Sequence, residues 1–417
     1  MNAVISSSHV CGEISAISSK SLAHRLLIGS AFCDKETSIR CESLNDDILA
    51  TVDCLRAIGA DISYAEGNFT IKPKKLNDSG TLSCNESGTT MRLLLPIVCA
   101  LGGSWHFLMR GRLPERPLSP LKEELEAHGI KFERISNDDL LVSGKLQSGN
   151  YTIRADVSSQ FVSGLMFALA LLNGKSTLTL TGNIESEPYI DLTLDVLNSL
   201  GANITRKDNV FTVPALPLSS QVLAFVEGDW SNAAFPLCAA ALGGSVKLKN
   251  LSLWSKQGDK QIIEILENFG ADISVENNSI SVKKGELHGI DINAENIPDL
   301  VPVIAVVASG ANGTTRISGA SRLRIKESDR LQTTYEMLHN LGADIEILDD
   351  GFLIHGKTKL SGGVVSSYND HRIAMSAAVA SVICENEVTV LCADATKKSY
   401  PDFWNDIEKL GFNVKLK

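Results

Sequence analysis

One pattern recurs along the whole 417-residue chain. A helical stretch ends in Gly, and a short β-rich run, a polar turn and a second β run follow. The copies are LRAIGADISYAEGNFTI, LEAHGIKFERISNDDLLV, LNSLGANITRKDNVFTV, LENFGADISVENNSISV and LHNLGADIEILDDGFLI, and a sixth, IEKLGFNVKLK, stops after one β run. The glycines, Gly59, Gly129, Gly201, Gly270, Gly342 and Gly411, lie 70, 72, 69, 72 and 69 residues apart. Each suits the end of a helix, where Gly enters the left-handed region without a steric penalty. The alternating runs around GN, DD, DN, NN or DG turns predict hairpins.

A second marker precedes each glycine. An apolar segment opened by small or polar residues leads into a turn and a strand: SSKSLAHRLLIGSA, ESGTTMRLLLPIV, SSQFVSGLMFALAL, DWSNAAFPLCAAAL, PDLVPVIAVVAS and DHRIAMSAAVAS. Its reference points, Ser21, Gly88, Ser159, Asp229, Asp299 and His371, are spaced by 67, 71, 70, 70 and 72 residues. Each unit therefore reads as helix, strand, loop, helix, hairpin, an α/β (α+β) chain of six repeats. Such units bury their faces only against one another. The Pro-marked break at Val213–Ser220 follows the third copy and divides them three and three. The expected lobes are 20–226 and a discontinuous 1–19 plus 227–417, with the segment 3–17 available to complete the last hairpin.

Composition narrows the function. The 39 Lys+Arg against 49 Asp+Glu give a net charge of −10, and no basic run of five or more occurs, so neither nucleic acid nor an anionic membrane is an expected partner. The longest apolar stretches, such as 93–101, are about half of a membrane span. The N-terminal residues lack the basic-then-apolar order of a signal peptide. Nine cysteines without a C-x-x-C pair suit neither a disulfide framework nor a zinc site. A cytoplasmic protein with reduced thiols is expected.

The unusual polar residues fall at two phases of the repeat. One is the start of the small-residue helix: Lys20, Ser21 and Arg25; Gly88, Thr89, Thr90 and Arg92; Ser158, Ser159 and Gln160; Asp299; Asp370, His371 and Arg372. The other is the loop after the first strand: Arg112, Glu115 and Arg116; Ser186 and Tyr189; Lys326, Glu327, Asp329 and Arg330; Lys398. Helix N-termini offer unpaired N–H groups and a positive dipole end, which suit phosphate and carboxylate. Ser or Asp at such a position is ordinarily a helix cap, and a lone loop Arg is ordinarily solvated; the argument is recurrence at one phase. If equivalent phases face one cleft, they form a strongly cationic site for a small, multiply charged anion. GKST at 174–177 lacks the upstream Gly of a P-loop, since Leu169 stands there, and is rejected. Trp230, Trp254 and Trp404 read as packing residues.

The segments SKSLAHR, NESGTTMRLL, RLPERPLSPL, SSQFVSGL, IPDL, RIKESDRL, NDHRIAMS and KKSYPDFW, in this order from about residue 18 to 405, resemble the 5-enolpyruvylshikimate-3-phosphate (EPSP) synthase family. The resemblance implies a two-lobed enolpyruvyl transferase fold, with three βαβαββ repeats per lobe around a pseudo-threefold axis. It implies transfer of the enolpyruvyl group of phosphoenolpyruvate to the 5-hydroxyl of shikimate 3-phosphate, in the shikimate pathway to chorismate and the aromatic amino acids, with release of phosphate. No metal or organic cofactor is implied, and a monomer is expected. Carried over motif by motif, Lys20, Ser21, Arg25, Ser158, Ser159, Gln160, Ser186, Asp299 and Lys326 are expected at shikimate 3-phosphate, with Tyr189 nearby. Lys20, Gly88, Arg112, Gln160, Arg330, Arg372 and Lys398 are expected at phosphoenolpyruvate. Asp299 is the expected general base, and Lys20 and Glu327 the candidates for proton transfer at C3. As alternatives, Asp299 could cap its helix and Glu327 could pair with Arg330.

Ser18, Leu93 and Arg322 depart from the commonest family pattern. Gly88 in place of Ala leaves room beside phosphoenolpyruvate, so competition by the family's inhibitor glyphosate is expected to weaken in Gly88→Ala. The sister enzyme acting on UDP-N-acetylglucosamine typically has Asn after the first Lys and a loop Cys. Here Ser21 follows Lys20, and no Cys lies between Cys99 and Cys238. A non-catalytic anion-binding scaffold is the other alternative, but it would gain nothing from Asp299, Glu327 and Asp370 inside its cationic motifs.

Overall fold

A computed structural model describes residues 1–417 except Ser8, Leu216, 220–222, Asn277 and Thr358. Parts of the break at 213–220 and of the NN turn thus lie outside the described residues. The chain divides into two compact units, Ser18–Val226 and Met1–Ile17 with Glu227–Lys417. Each has its own apolar core.

The unit 18–226 contains helices α1 (Lys20–Ala31), α2 (Asp46–Ile58), α3 (Gly88–Leu101), α4 (Leu121–Ala127), α5 (Ser159–Ala170) and α6 (Glu187–Ser199). The other contains α7 (Trp230–Gly243), α8 (Ile262–Phe269), α9 (Val301–Ser309), α10 (Arg330–Asn340), α11 (His371–Ala380) and α12 (Phe403–Lys409). The odd-numbered helices are the apolar segments opened by small or polar residues, and they lie inside. In α3 every residue from Thr90 to Ala100 is buried, as expected of a helix that is apolar on all sides. Within the second unit α7, α9 and α11 pack on one another. In the first unit α5 meets α3 so closely that a Cβ on Gly164 would stand 2.5 Å from the Arg92 carbonyl oxygen. The even-numbered helices end at the repeat glycines, whose φ values run from 88° at Gly129 to 111° at Gly59.

Among the described residues, each unit also holds three four-stranded sheets. In the second repeat, Ser79–Asn85 pairs in parallel with Ser104–Met109, which pairs antiparallel with Asp139–Ser143, and Lys131–Arg134 closes the hairpin. The register sets Leu82 beside Phe107 and Phe107 beside Leu140, all buried. The parallel pair flanks the inner helix, the usual βαβ crossover.

Two repeats obtain their parallel strand from elsewhere in the chain. Val10–Ser15, just before α1, pairs with Gly244–Lys249 in the second unit. Leu223–Phe225, before α7, pairs with Thr37–Arg40 in the first. Ala3–Ser7 lies between Val388–Leu391 and Phe412–Leu416, and so supplies the strand the sixth repeat lacks. One expectation fails. Trp230 and Trp404 are buried, but Trp254 is 92% exposed. Its turn directs Ser255 and Gln257 inward to hold Glu227 and leaves the indole outside.

Candidate active site

In the unit 18–226 most of the candidate residues stand near the N-termini of α1, α3 and α5, while Ser186 precedes α6 and Arg112 the 3-10 turn Leu113–Glu115. Ser19 caps α1, its hydroxyl accepting from the Leu22 N–H at 3.3 Å, and this places Lys20 at the first helical position. Lys20 Nζ lies 3.0 Å from Asp47 Oδ2, at the start of α2. Asp47 escaped the sequence reading, although it occupies the loop phase that carries Arg112, Ser186 and Lys326 in other repeats.

Arg25, one turn after Ser21, is buried and nearly saturated. Nε donates to Thr193 Oγ1 at 2.7 Å, Nη1 to the Ser21 carbonyl at 2.7 Å, and Nη2 to the Tyr189 carbonyl at 3.0 Å. Burial lowers its pKa to about 10, so it stays charged near neutrality. Arg92 stacks over Phe161 and donates to Gln160 Oε1 at 3.2 Å, while Gln160 Nε2 donates to Thr89 Oγ1 at 2.8 Å. Gln160 is thereby oriented between α3 and α5. Ser158 caps α5 and accepts from the Gln160 N–H, so it has the ordinary cap role as well as a place in the cluster. Ser159 follows it, and Ser186 precedes α6 with a left-handed φ of 53°.

Gly88 opens α3 beneath the Arg116 guanidinium: a Cβ there would meet Arg116 Nη1 at 2.4 Å. Arg116, and not Arg112, is the arginine set against Gly88. Arg112 is 45% exposed and 3.6 Å from Glu115.

The second cluster, in the other unit, is built on Asp299. This residue lies in the 3-10 turn Pro298–Leu300 and does not cap α9, which has no side-chain cap. Asp299 Oδ1 is 2.8 Å from Arg330 Nη1 and 3.5 Å from Lys326 Nζ, and Oδ2 is 3.2 Å from Arg372 Nη2. Burial pushes its carboxyl up, but Arg372, Lys326 and Arg330 together outweigh this and hold it well below the usual range.

Arg330, 1% exposed, also reaches Glu327 at 2.7 Å and Asp370 at 2.8 Å. Its pKa is raised, because Asp370, Glu327 and Asp299 overcome the cost of burial. Glu327 therefore does make the structural ion pair considered for it. Asp370 caps α11 through the Arg372 N–H, and Arg372 Nη2 donates to Ser231 Oγ at 2.6 Å. Lys326 is lowered to about 8, mainly by burial. Lys398 Nζ donates to the Asn369 carbonyl at 2.6 Å, and Arg322 Nη2 to the Glu295 carbonyl at 2.8 Å. The carboxylates expected inside the cationic motifs are here: Asp299, Glu327 and Asp370 neutralise Lys326, Arg330 and Arg372. Buried like charges without counter-ions would destabilise the free protein.

Known proteins resemble this chain over its whole length. The family profile for EPSP synthase (3-phosphoshikimate 1-carboxyvinyltransferase) matches residues 4–407. A 3-phosphoshikimate 1-carboxyvinyltransferase of Clostridium novyi (strain NT) is 41% identical over 423 residues, covering 98% of this chain and 97% of the relative. One from Clostridium perfringens (strain 13 / Type A) is 41% identical over 414 residues, covering 98% of both. The solved EPSP synthase of Acinetobacter baumannii superposes with a TM-score of 0.81 at 25% identity, each chain covered in full. Matched by the family profile and by these relatives over nearly its whole length, the chain belongs to the EPSP synthase family, transferases of the shikimate pathway that move the enolpyruvyl group of phosphoenolpyruvate to shikimate 3-phosphate.

Proposed function

We propose that this chain performs the transfer by addition and elimination, with the residues of its two clusters in the following roles. Ser21, Arg25, Ser158, Ser159, Ser186 and Lys326 bind shikimate 3-phosphate. Gly88, Arg112, Arg330, Arg372 and Lys398 bind phosphoenolpyruvate, and Lys20 and Gln160 touch both. The observation that carries the reading is Asp299: a carboxylate at a helix start that caps nothing and is kept ionised by three cations.

The phosphate and carboxylate of phosphoenolpyruvate compete with Asp299 and Glu327 for Arg330 and Arg372. As the substrate takes those cations, Asp299 loses the charges that depress its proton affinity and becomes a better base. It then accepts the proton of the 5-hydroxyl while that oxygen bonds to C2. C3 receives a proton from Lys20 or Glu327, giving the tetrahedral intermediate. The C2–O bond to phosphate then breaks while the residue that protonated C3 takes a proton back from the new methyl group, giving the enol ether. The fixed cations stabilise charge on the departing phosphate. A monomeric, cytoplasmic enzyme belongs to the same reading; its nine free thiols are the form a reducing compartment maintains.

The test is phosphate release from phosphoenolpyruvate with and without shikimate 3-phosphate. Release should require both, and Asp299→Asn should lower turnover by roughly 10²–10⁴-fold while both ligands still bind. Run across pH, the same assay should show the KM for shikimate 3-phosphate rising above about pH 8, where Lys326 loses its proton and its charge. Binding of both anions without release by the unaltered protein would sink the reading and leave a scaffold.

A further inference from the structure

A buried chain of polar side chains runs through the first unit and takes no part in the reaction described above. His24 Nδ1 lies 2.7 Å from Thr51 Oγ1, Thr51 Oγ1 lies 2.7 Å from Thr90 Oγ1, and Thr90 Oγ1 donates to Ser87 Oγ at 2.7 Å. None of the four is more than 1% exposed. A hydroxyl has one proton, and that of Thr90 can go to Ser87 Oγ or, at 3.4 Å, to the Asp47 carbonyl. Either hydroxyl can donate in the Thr51–Thr90 bond, and the tautomer of His24 sets whether Nδ1 donates to Thr51 or accepts from it. Among the described residues Nε2 has no partner.

The chain's position relates it to the site. His24 is one helical turn after Lys20 on α1, and Thr51 one turn after Asp47 on α2. Residues four apart share a helix face, so the Lys20–Asp47 pair and the His24–Thr51 bond are successive rungs between these helices. Thr90 adds a rung to α3, and Ser87 is the cap that holds the first turn of α3 at Gly88.

We propose that His24, Thr51 and Thr90 are positioning residues for the transfer, holding the starts of α1, α2 and α3 in one register and thereby fixing Lys20 against Gly88. Apolar side chains would fill the same space, but they would allow the helices to slide; directional bonds do not. The inference rests on the reading of Lys20 and Gly88 as phosphoenolpyruvate contacts.

The test compares Thr51→Val, which keeps the shape and removes the hydroxyl, with Thr51→Ser, which keeps the hydroxyl. A misplacement of about 1 Å costs on the order of 10²-fold. Thr51→Val should therefore raise the KM for phosphoenolpyruvate roughly 10–100-fold, with a smaller change in kcat, and Thr51→Ser should restore it. An unchanged KM in Thr51→Val, or a loss confined to kcat, would make the chain ordinary core and overturn the proposal. Should Thr51→Val not fold, the ¹⁵N spectrum of the His24 ring in the unaltered protein decides: an Nδ1 shift of a hydrogen-bonded nitrogen, donor or acceptor, supports the chain, and that of a free nitrogen overturns it. Lys20→Met serves as the reference. If it leaves the KM unchanged, the assignment of Lys20 fails, while the His24 spectrum still reports on the chain itself.

Discussion

Gly88 shows how one missing side chain shapes a binding site. In the sequence it stands out because Gly in place of Ala leaves room beside phosphoenolpyruvate. The structure adds the neighbour, an Arg116 guanidinium that would lie 2.4 Å from a Cβ. In Gly88→Ala that guanidinium has to move. Affinity for phosphoenolpyruvate should fall, and glyphosate competition should weaken with it. Steady-state inhibition measured on the purified variant checks this, and an unchanged inhibition constant would remove Gly88 from the site. Asp299 and Arg330 were legible as residues but not as partners. Sequence phase placed Asp299 at a helix start and Arg330 in the loop after a first strand, whereas their 2.8 Å ion pair depends on how two repeats pack. Asp47 and the proximity of Arg116 to Gly88 went unread for the same reason: charge identity is local, and charge pairing is tertiary.

At the scale of elements, the inner helices were the most legible part. Their small, apolar composition marks them as buried, and their Ser and Asp starts mark the caps. What composition did not reveal is how closely they approach. The contact of α3 and α5 depends on Gly164, whose hydrogen leaves room for the Arg92 carbonyl. Gly164→Ala should destabilise the protein by about 1–3 kcal/mol, the usual cost of overpacking a well-filled core. Thermal or denaturant unfolding measures it, and a variant as stable as the wild type would show that the helices can separate freely. Because Arg92 also orients Gln160, the variant should lose affinity for ligand along with stability.

At the scale of the whole molecule, chain connectivity matters most. The first strands of the chain complete sheets whose other strands lie more than 200 residues later: Ala3–Ser7 between Val388–Leu391 and Phe412–Leu416, and Val10–Ser15 beside Gly244–Lys249. Deleting residues 1–7 should therefore destabilise the unit 227–417 and leave the core of 18–226 protected. Hydrogen exchange resolved along the chain would show fast exchange in the second unit alone; uniform loss, or none, would contradict this. The six repeats, their glycine-ended helices and the class of residues at each helix start were determined by the sequence by itself. Helical periodicity, turn chemistry and left-handed glycines act over a few residues and need no distant partner. The tertiary structure alone decided which strand enters which sheet, that Lys326, Arg330 and Arg372 meet the carboxylates of Asp299, Glu327 and Asp370, and that His24, Thr51 and Thr90 join three helices. These depend on contacts between segments far apart in the chain, where hydrogen-bond geometry and Coulomb attraction act only after the cores have brought the groups together.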